Sequence, residues 1–132
     1  MISKNIEEIK NKLFQIEFKE KFDLLIFIAN GGIIPGMMIH QILKVPYEII
    51  YINYRDENHS PKYNEPVLLK DLNIDVKGKN ILLVDDVSKT GLTFKLAKGK
   101  LINSEIIKTF VINGKADYSL YNEECFKLPW LI

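Results

Sequence analysis

Residues 81–93, Ile-Leu-Leu-Val-Asp-Asp-Val-Ser-Lys-Thr-Gly-Leu-Thr, constrain the fold more than any other stretch of this 132-residue chain. The run 81–84 is short, unbroken and apolar, the pattern of a strand covered on both faces. Two adjacent carboxylates, Asp85 and Asp86, stand where that strand is expected to end. A short polar loop follows and closes on Gly91 and Thr93, at the start of a helix expected over 92–101. In open α/β sheets, ligands bind at the carboxyl ends of the strands. Paired acids suit sugar hydroxyls or a magnesium ion, and loop amides ahead of a helix suit a phosphate. This strand end therefore fits a phosphorylated sugar.

The rest of the chain alternates between strand and helix patterns. Residues 3–18 carry Ile6, Ile9, Leu13 and Phe14 at helical spacing among lysines and glutamates, which predicts an amphipathic helix packing one face. A first apolar strand is expected over 24–29, followed by Asn30-Gly31-Gly32 and a helix over 33–43, with Pro35 tolerated in its first turn. Further strands are expected over 48–53 and 106–112, the second broken by Asn113-Gly114. Residues 54–66 hold Arg55, His59 and two prolines without periodicity and read as a long functional loop. The tail, 116–132, is rich in aromatics. Strands alternating with helices predict an α/β fold, one domain over 1–132, with a mostly parallel sheet of four or five strands flanked by helices on both faces.

Bulk properties exclude several function classes. A net charge of +1 gives no electrostatic case for nucleic acid, which calls for a marked basic excess. No apolar run reaches membrane-spanning length and no signal peptide is visible, so a membrane partner is not expected and the expected compartment is the cytoplasm. The single cysteine, Cys125, cannot form an intrachain disulfide and fits a reducing compartment. Neither His40 nor His59 has a partner at metal-ligand spacing, so no permanent metal site is expected. The loop after Asp86 is neither a Walker A loop nor a Gly-x-Gly-x-x-Gly turn.

The stretch 81–93 resembles the phosphoribosyl pyrophosphate (PRPP) signature of the type I phosphoribosyltransferases. Phe27-Ile28-Ala29-Asn30-Gly31-Gly32-Ile33-Ile34-Pro35-Gly36 resembles the pyrophosphate loop of the same family, and Phe126-Lys127-Leu128-Pro129-Trp130 is similar to the tail of its short xanthine/guanine-type members. The resemblance implies the type I phosphoribosyltransferase fold, with a small hood built from the N- and C-terminal segments. It also implies a reaction: transfer of ribose 5-phosphate from PRPP to a nucleobase, a purine by this branch, with release of pyrophosphate and with Mg²⁺ accompanying PRPP. By the family pattern, Asp85 and Asp86 hold the ribose hydroxyls and help place Mg²⁺; Lys89, at the position where the family handles the base, joins them as the third catalytic candidate. Ser88, Lys89, Thr90, Gly91, Leu92 and Thr93 wrap the 5′-phosphate, while Asn30, Gly31 and Gly32 receive the pyrophosphate. Asn113, Lys115, Phe126 and Trp130 are the candidates for contact with the base. Loop 54–66 matches the family's mobile cover, and the family's common assembly makes a homodimer an expectation.

Four positions depart from the family pattern. Lys89 stands where purine-using members carry an aspartate that handles the proton of the base, and Asn30 replaces a basic residue of the pyrophosphate loop. Asn113 stands where 6-oxopurine enzymes carry a lysine, with Lys115 two residues along, and Cys125 takes the place of a stacking tryptophan. Each has a plain reading beside the functional one: Lys89 adds charge beside a phosphate, and Phe126 and Trp130 pack a core. The departures leave an alternative open, a non-catalytic regulatory protein that binds PRPP or a nucleotide on the same fold. They also leave the identity of the base unread.

Overall fold

The apolar run at 81–84 lies in the middle of a six-stranded sheet in a computed structural model of the chain, which describes residues 4–53, 67–68, 74–124 and 127–130. The elements run α1 (Ile6–Phe14), β1 (Leu24–Ala29), α2 (Ile33–Leu43), β2 (Tyr47–Asn53), β3 (Val67–Leu68), β4 (Asn80–Ser88), α3 (Leu92–Gly99), β5 (Ile106–Gly114) and β6 (Tyr118–Tyr121). In space the strands follow the order β3-β2-β1-β4-β5-β6, and all neighbours are parallel except β2 and β3.

Alternation along the strands splits the core into two layers. Leu25, Phe27, Leu82, Val84, Phe110 and Ile112 pack on one face with Ile9 and Leu13 of α1 and Ile39 of α2. Leu24, Ile26, Ile28, Ile81, Leu83 and Val111 pack on the other with Phe94 and Ala97 of α3. Every residue of β1 is buried, as the unbroken apolar run requires of a strand covered on both sides. Helices on both faces agree with the sequence expectation. The strand count does not: among the described residues the sheet has six strands rather than four or five.

The two strands beyond the expectation are short edge pieces. β3 is only two residues long and pairs antiparallel with the end of β2, Ile52 opposite Leu68. β6 lies inside the aromatic tail, and only residues 115–117 separate it from β5, its parallel neighbour. Parallel neighbours ordinarily need a crossover of about a dozen residues or more. Here the chain folds straight back at Gly114, and β6 begins level with Phe110. Asp117 fixes the return: its carboxylate accepts from the Thr109 amide at 2.9 Å and hydroxyl at 3.0 Å, and its own amide donates to that hydroxyl at 3.0 Å.

Two helices are shorter than their periodicity predicts. α1 begins where Asn5 caps it, its Oδ1 accepting from the Glu8 amide at 2.8 Å, and it ends at Phe14 instead of 18. Beyond that point Phe18 is drawn to the sheet, its ring set edge-on to Tyr118, Phe22 and Phe110. Ile9 and Leu13 are the buried residues of α1, whereas Ile6 and Phe14 stay exposed, a narrower apolar face than expected. α3 stops at Gly99 rather than 101.

The terminal segments do join each other. The Lys4 amide donates to the Lys127 carbonyl, the Tyr121 hydroxyl donates to Glu8 at 2.9 Å, and the Lys4 ammonium lies 3.3 Å from the Glu123 carboxylate. Lys4 and Lys12 each hold an ammonium 4.6 Å from the centre of the Tyr121 ring. Burial, and then the hydrogen bond to Glu8, pushes the Tyr121 phenol well above its ordinary pKa. This joined pair packs on the α1–α2 face at the β5–β6 side of the sheet, through Ile9, Leu13, Tyr121 and Leu128.

Candidate functional site

The strand order reverses between β1 and β4. From β1 the chain passes through α2 to β2 on one side, and from β4 it passes through α3 to β5 on the other. The two helices leave on opposite faces, so the carboxyl ends of β1 and β4 open into a crevice, the place where α/β sheets of this kind bind ligands. Two segments singled out in the sequence, 30–32 and 85–93, follow or end those two strands.

The acid pair lies inside β4 and not at its end, because β5 holds the ladder as far as Val87 opposite Asn113 and Ser88 opposite Gly114. β1 pairs with β4 only as far as Phe27 opposite Val84. Asp85 and Asp86 thus sit on a strand backed by β5 and overhanging the last ladder pair with β1. Alternation sends the two carboxylates to opposite sides, with Asp86 buried and Asp85 half-buried. Each carboxylate is held by the next amide: Asp86 donates to Asp85 Oδ1 at 2.8 Å, and Val87 donates to Asp86 Oδ1 at 2.7 Å.

The loop after β1 comes up against the second acid. A Cβ added at Gly31 would stand 2.5 Å from both oxygens of the Asp86 carboxylate, so only glycine lets the two segments touch. Gly32 is as tightly enclosed, by the carbonyls of Val84 and Ile28, and the Ala29–Asn30 peptide is cis. Asn30 is exposed at the rim. The structure therefore brings Gly31 and Gly32 together with the Asp85–Asp86 strand.

At the end of β4 the chain forms a shallow open recess lined by Asp85, Val87, Ser88, Lys89, Thr90, Gly91, Thr93 and Phe94. Gly91 is the N-cap of α3 in the left-handed region, at φ 79°, where a side chain is disfavoured although space is open. Thr90 Oγ1 accepts from the Leu92 amide at 3.3 Å, and α3 has no acidic residue in its first turn. A helix start of this kind, with hydroxyls and amides near it and no acidic residue in its first turn, suits an anion, with Asp85 on the β4 side of the recess. Leu92 is half-buried and does not line the recess, so it can contribute through its backbone alone.

The base candidates scatter. Asn113 is buried at the end of β5, and its side-chain amide pairs with the backbone of Glu123: Oδ1 accepts from the Glu123 amide at 2.9 Å, and Nδ2 donates to its carbonyl at 3.2 Å. Lys115 is exposed on the turn that follows, and Trp130 packs against the core layer of α1 and α2. Phe126, Cys125 and the loop 54–66 with Arg55 and His59 lie outside the described residues. His40 serves structure, its Nδ1 donating to the Val45 carbonyl at 2.8 Å. The Asn113–Glu123 pairing was not legible in the sequence, since nothing in residues 116–122 announces a return to β5.

Comparison with known proteins follows the same outline. The family model described as "Phosphoribosyl transferase domain" matches residues 1–127. Among curated proteins, an orotate phosphoribosyltransferase of Saccharolobus solfataricus is 35% identical over 81 residues, covering 61% of this chain and 37% of that protein. A hypoxanthine-guanine phosphoribosyltransferase of Saccharomyces cerevisiae is 33% identical over 98 residues, covering 61% of this chain and 44% of that protein. The aligned segments thus span less than half the length of both relatives. The fold is also that of a purine phosphoribosyltransferase from Pyrococcus horikoshii, at a TM-score of 0.81 and 24% identity, covering 98% of this chain and 92% of that one. Because the family match runs through all six strands and both loops of the crevice, it is a match of the whole sheet, and the chain belongs to the phosphoribosyltransferase family.

Proposed function

We propose that this protein is a Mg²⁺-dependent phosphoribosyltransferase that moves ribose 5-phosphate from PRPP to a purine base and releases pyrophosphate, acting as a single domain over 1–132 in the cytoplasm. The observation that carries the reading is the contact of Gly31 with the Asp86 carboxylate beside the recess at 88–93. The Gly31 backbone, the acid pair 85–86 and the start of α3 follow one another across the β1, β4 and α3 junction, which supports a reading in which they take the pyrophosphate, ribose and 5′-phosphate of PRPP in that order.

In this reading the amides and hydroxyls of Ser88, Thr90 and Thr93 hold the 5′-phosphate, and Lys89 adds a positive charge to the same recess. Asp85 and Asp86 accept hydrogen bonds from the ribose hydroxyls, and their tethers to the next amides set the carboxylate planes before the sugar arrives. The backbone of Asn30, Gly31 and Gly32 receives the departing pyrophosphate. Bond breaking at C1 runs ahead of bond making, so the chain contributes by positioning and by stabilising charge on the leaving group. Among the described residues no group of three or more His, Cys, Asp or Glu gathers to hold a metal by itself. Asp85, which lines the recess, and Asp86, against the Gly31 loop, are the carboxylates that would supply oxygen to Mg²⁺ brought in with a diphosphate. When bound, the ion would offset negative charge on the pyrophosphate.

The test is pyrophosphate release from PRPP with Mg²⁺ against adenine, guanine, hypoxanthine, xanthine, orotate and uracil, alongside thermal shift with PRPP alone. At about 100 times Kd, PRPP adds roughly 2.7 kcal/mol of stability. The expected result is a PRPP shift together with release on one or more purines. A shift without release on any base replaces the enzyme with the regulatory alternative, and the absence of any shift refutes both. Lys89→Asp then asks whether an acid at that position raises turnover of a purine.

A further inference from the structure

Asn113 stands at a joint between the two sides of the crevice. Through the backbone, its neighbour Gly114 meets the first residue of the phosphate recess. A Cβ at Gly114 would collide with the Ser88 carbonyl and stand 2.9 Å from the Ser88 carbonyl carbon, and the glycine holds φ 125°. Through its side chain, Asn113 meets the segment after β6. Both polar atoms of the amide are used on one residue, Glu123, in a reciprocal pair of 2.9 and 3.2 Å, and the side chain is buried. Glu123 is tied in turn to the segment just before α1, with its carboxylate 3.3 Å from the Lys4 ammonium.

The chemistry gives this joint a side. The Asn30–Gly32 loop lies on the β1 flank of the acid pair, and the leaving pyrophosphate is assigned there. Displacement at C1 brings the acceptor in from the side opposite the leaving group, which is the β5 flank. On that flank β5 ends at Asn113 and Gly114, with Lys115 exposed on the following turn. An amide already committed to a backbone pair is poorly placed to read a base, as the sequence reading had it. It is well placed to hold the surroundings of one.

We propose that Asn113 is a positioning residue: by clasping the backbone of Glu123 it fixes the C-terminal segment against the phosphoribosyl loop at Ser88, and so holds the acceptor base in line with C1. The proposal rests on the phosphoribosyltransferase reading given above. It deepens that reading by assigning a residue whose effect falls on the acceptor and not on PRPP.

Asn113→Asp is the informative variant. It keeps an oxygen for the Glu123 amide but turns a carboxylate oxygen towards the Glu123 carbonyl, opening the clasp while the acid is ionised. Protonation restores a donor at that position, so the defect should shrink as pH falls. The expected result at pH 8 is a KM for the base raised about tenfold or more, since a misplacement of about 1 Å costs up to roughly 10²-fold. The PRPP thermal shift should stay close to the wild-type value, and the base KM should recover on acidification relative to wild type. Hydrogen exchange at the Glu123 amide should be about tenfold faster, the loss of one hydrogen bond of ordinary strength. Should the aspartate variant not fold, Asn113→Leu gives the same split between base KM and PRPP shift, without the pH recovery. An unchanged base KM in a folded variant overturns the proposal, as does a PRPP shift that falls in step with it, for that marks general loosening. If wild type transfers to no base, the parent reading fails and the acceptor role fails with it. Glu123 exchange then reports on the clasp alone.

Discussion

Gly31→Ala is the sharpest perturbation of the crevice. The new methyl would stand 2.5 Å from both Asp86 carboxylate oxygens, about 0.9 Å inside the 3.4 Å at which ordinary contact begins. Asp86 is buried, and its Oδ1 already accepts from the Val87 amide at 2.7 Å, so the carboxylate cannot swing away freely. Moving it by about 0.9 Å stretches that bond beyond useful length. Losing a hydrogen bond to a charged group costs about 1.5–3 kcal/mol, and overpacking of a close contact costs about 1–3 kcal/mol. Partial relaxation leaves a net of about 3 kcal/mol, or roughly 10 °C in Tm for a domain of this size. The same displacement moves the acid proposed to hold the ribose, so pyrophosphate release should fall about 10²-fold. Thermal unfolding and initial rates are measured beside Gly99→Ala, where an added Cβ meets nothing within 4 Å at the end of α3. That control should be neutral or more stable by up to about 1 kcal/mol. A Gly31→Ala protein with wild-type Tm and wild-type rate would refute the argument that these two segments are packed into contact.

Three further outcomes follow from the geometry. Gly114→Ala adds a collision with the Ser88 carbonyl to an unfavourable φ of 125° and should cost about 3 kcal/mol in urea unfolding, against about 1 kcal/mol for Gly78→Ala, whose φ is 67° in open space. Asn5→Ala removes the cap on the Glu8 amide and should cost about 1 kcal/mol, concentrated in faster exchange of the first turn of α1. The Tyr118 and Tyr121 phenols are both raised above 10.0, first by burial and then by hydrogen bonds to Glu20 and Glu8. The folded state therefore holds these protons more tightly than the unfolded chain does. Their contribution is complete below pH 10 and is lost as pH rises from 10 towards the folded values. Tm should fall above pH 10, and the fall should be smaller in Tyr121→Phe.

The sequence by itself determined the parts whose signals are local. Unbroken apolar runs marked β1 and the middle of β4, and the bounds 24–29 and 33–43 were legible to the residue because Asn30-Gly31-Gly32 and Pro35 punctuate them. Asp85, Asp86 and the loop to Thr93 were legible as a candidate site because strand, acids, glycine and hydroxyls are contiguous in the chain. Tertiary structure decided what depends on residues distant in sequence. β4 continues through the acid pair because β5 pairs with it to Ser88, and α1 stops at Phe14 as Phe18 turns to rings on other elements. β6 exists because Asp117 clasps Thr109, a bond no periodicity announces. Above all, the contact of Gly31 with Asp86 and of Asn113 with Glu123 came only from the fold. Local patterns report which face of an element is apolar. They do not report which distant backbone will arrive to use a polar group, and that arrival is what turned two loops and a strand end into one crevice.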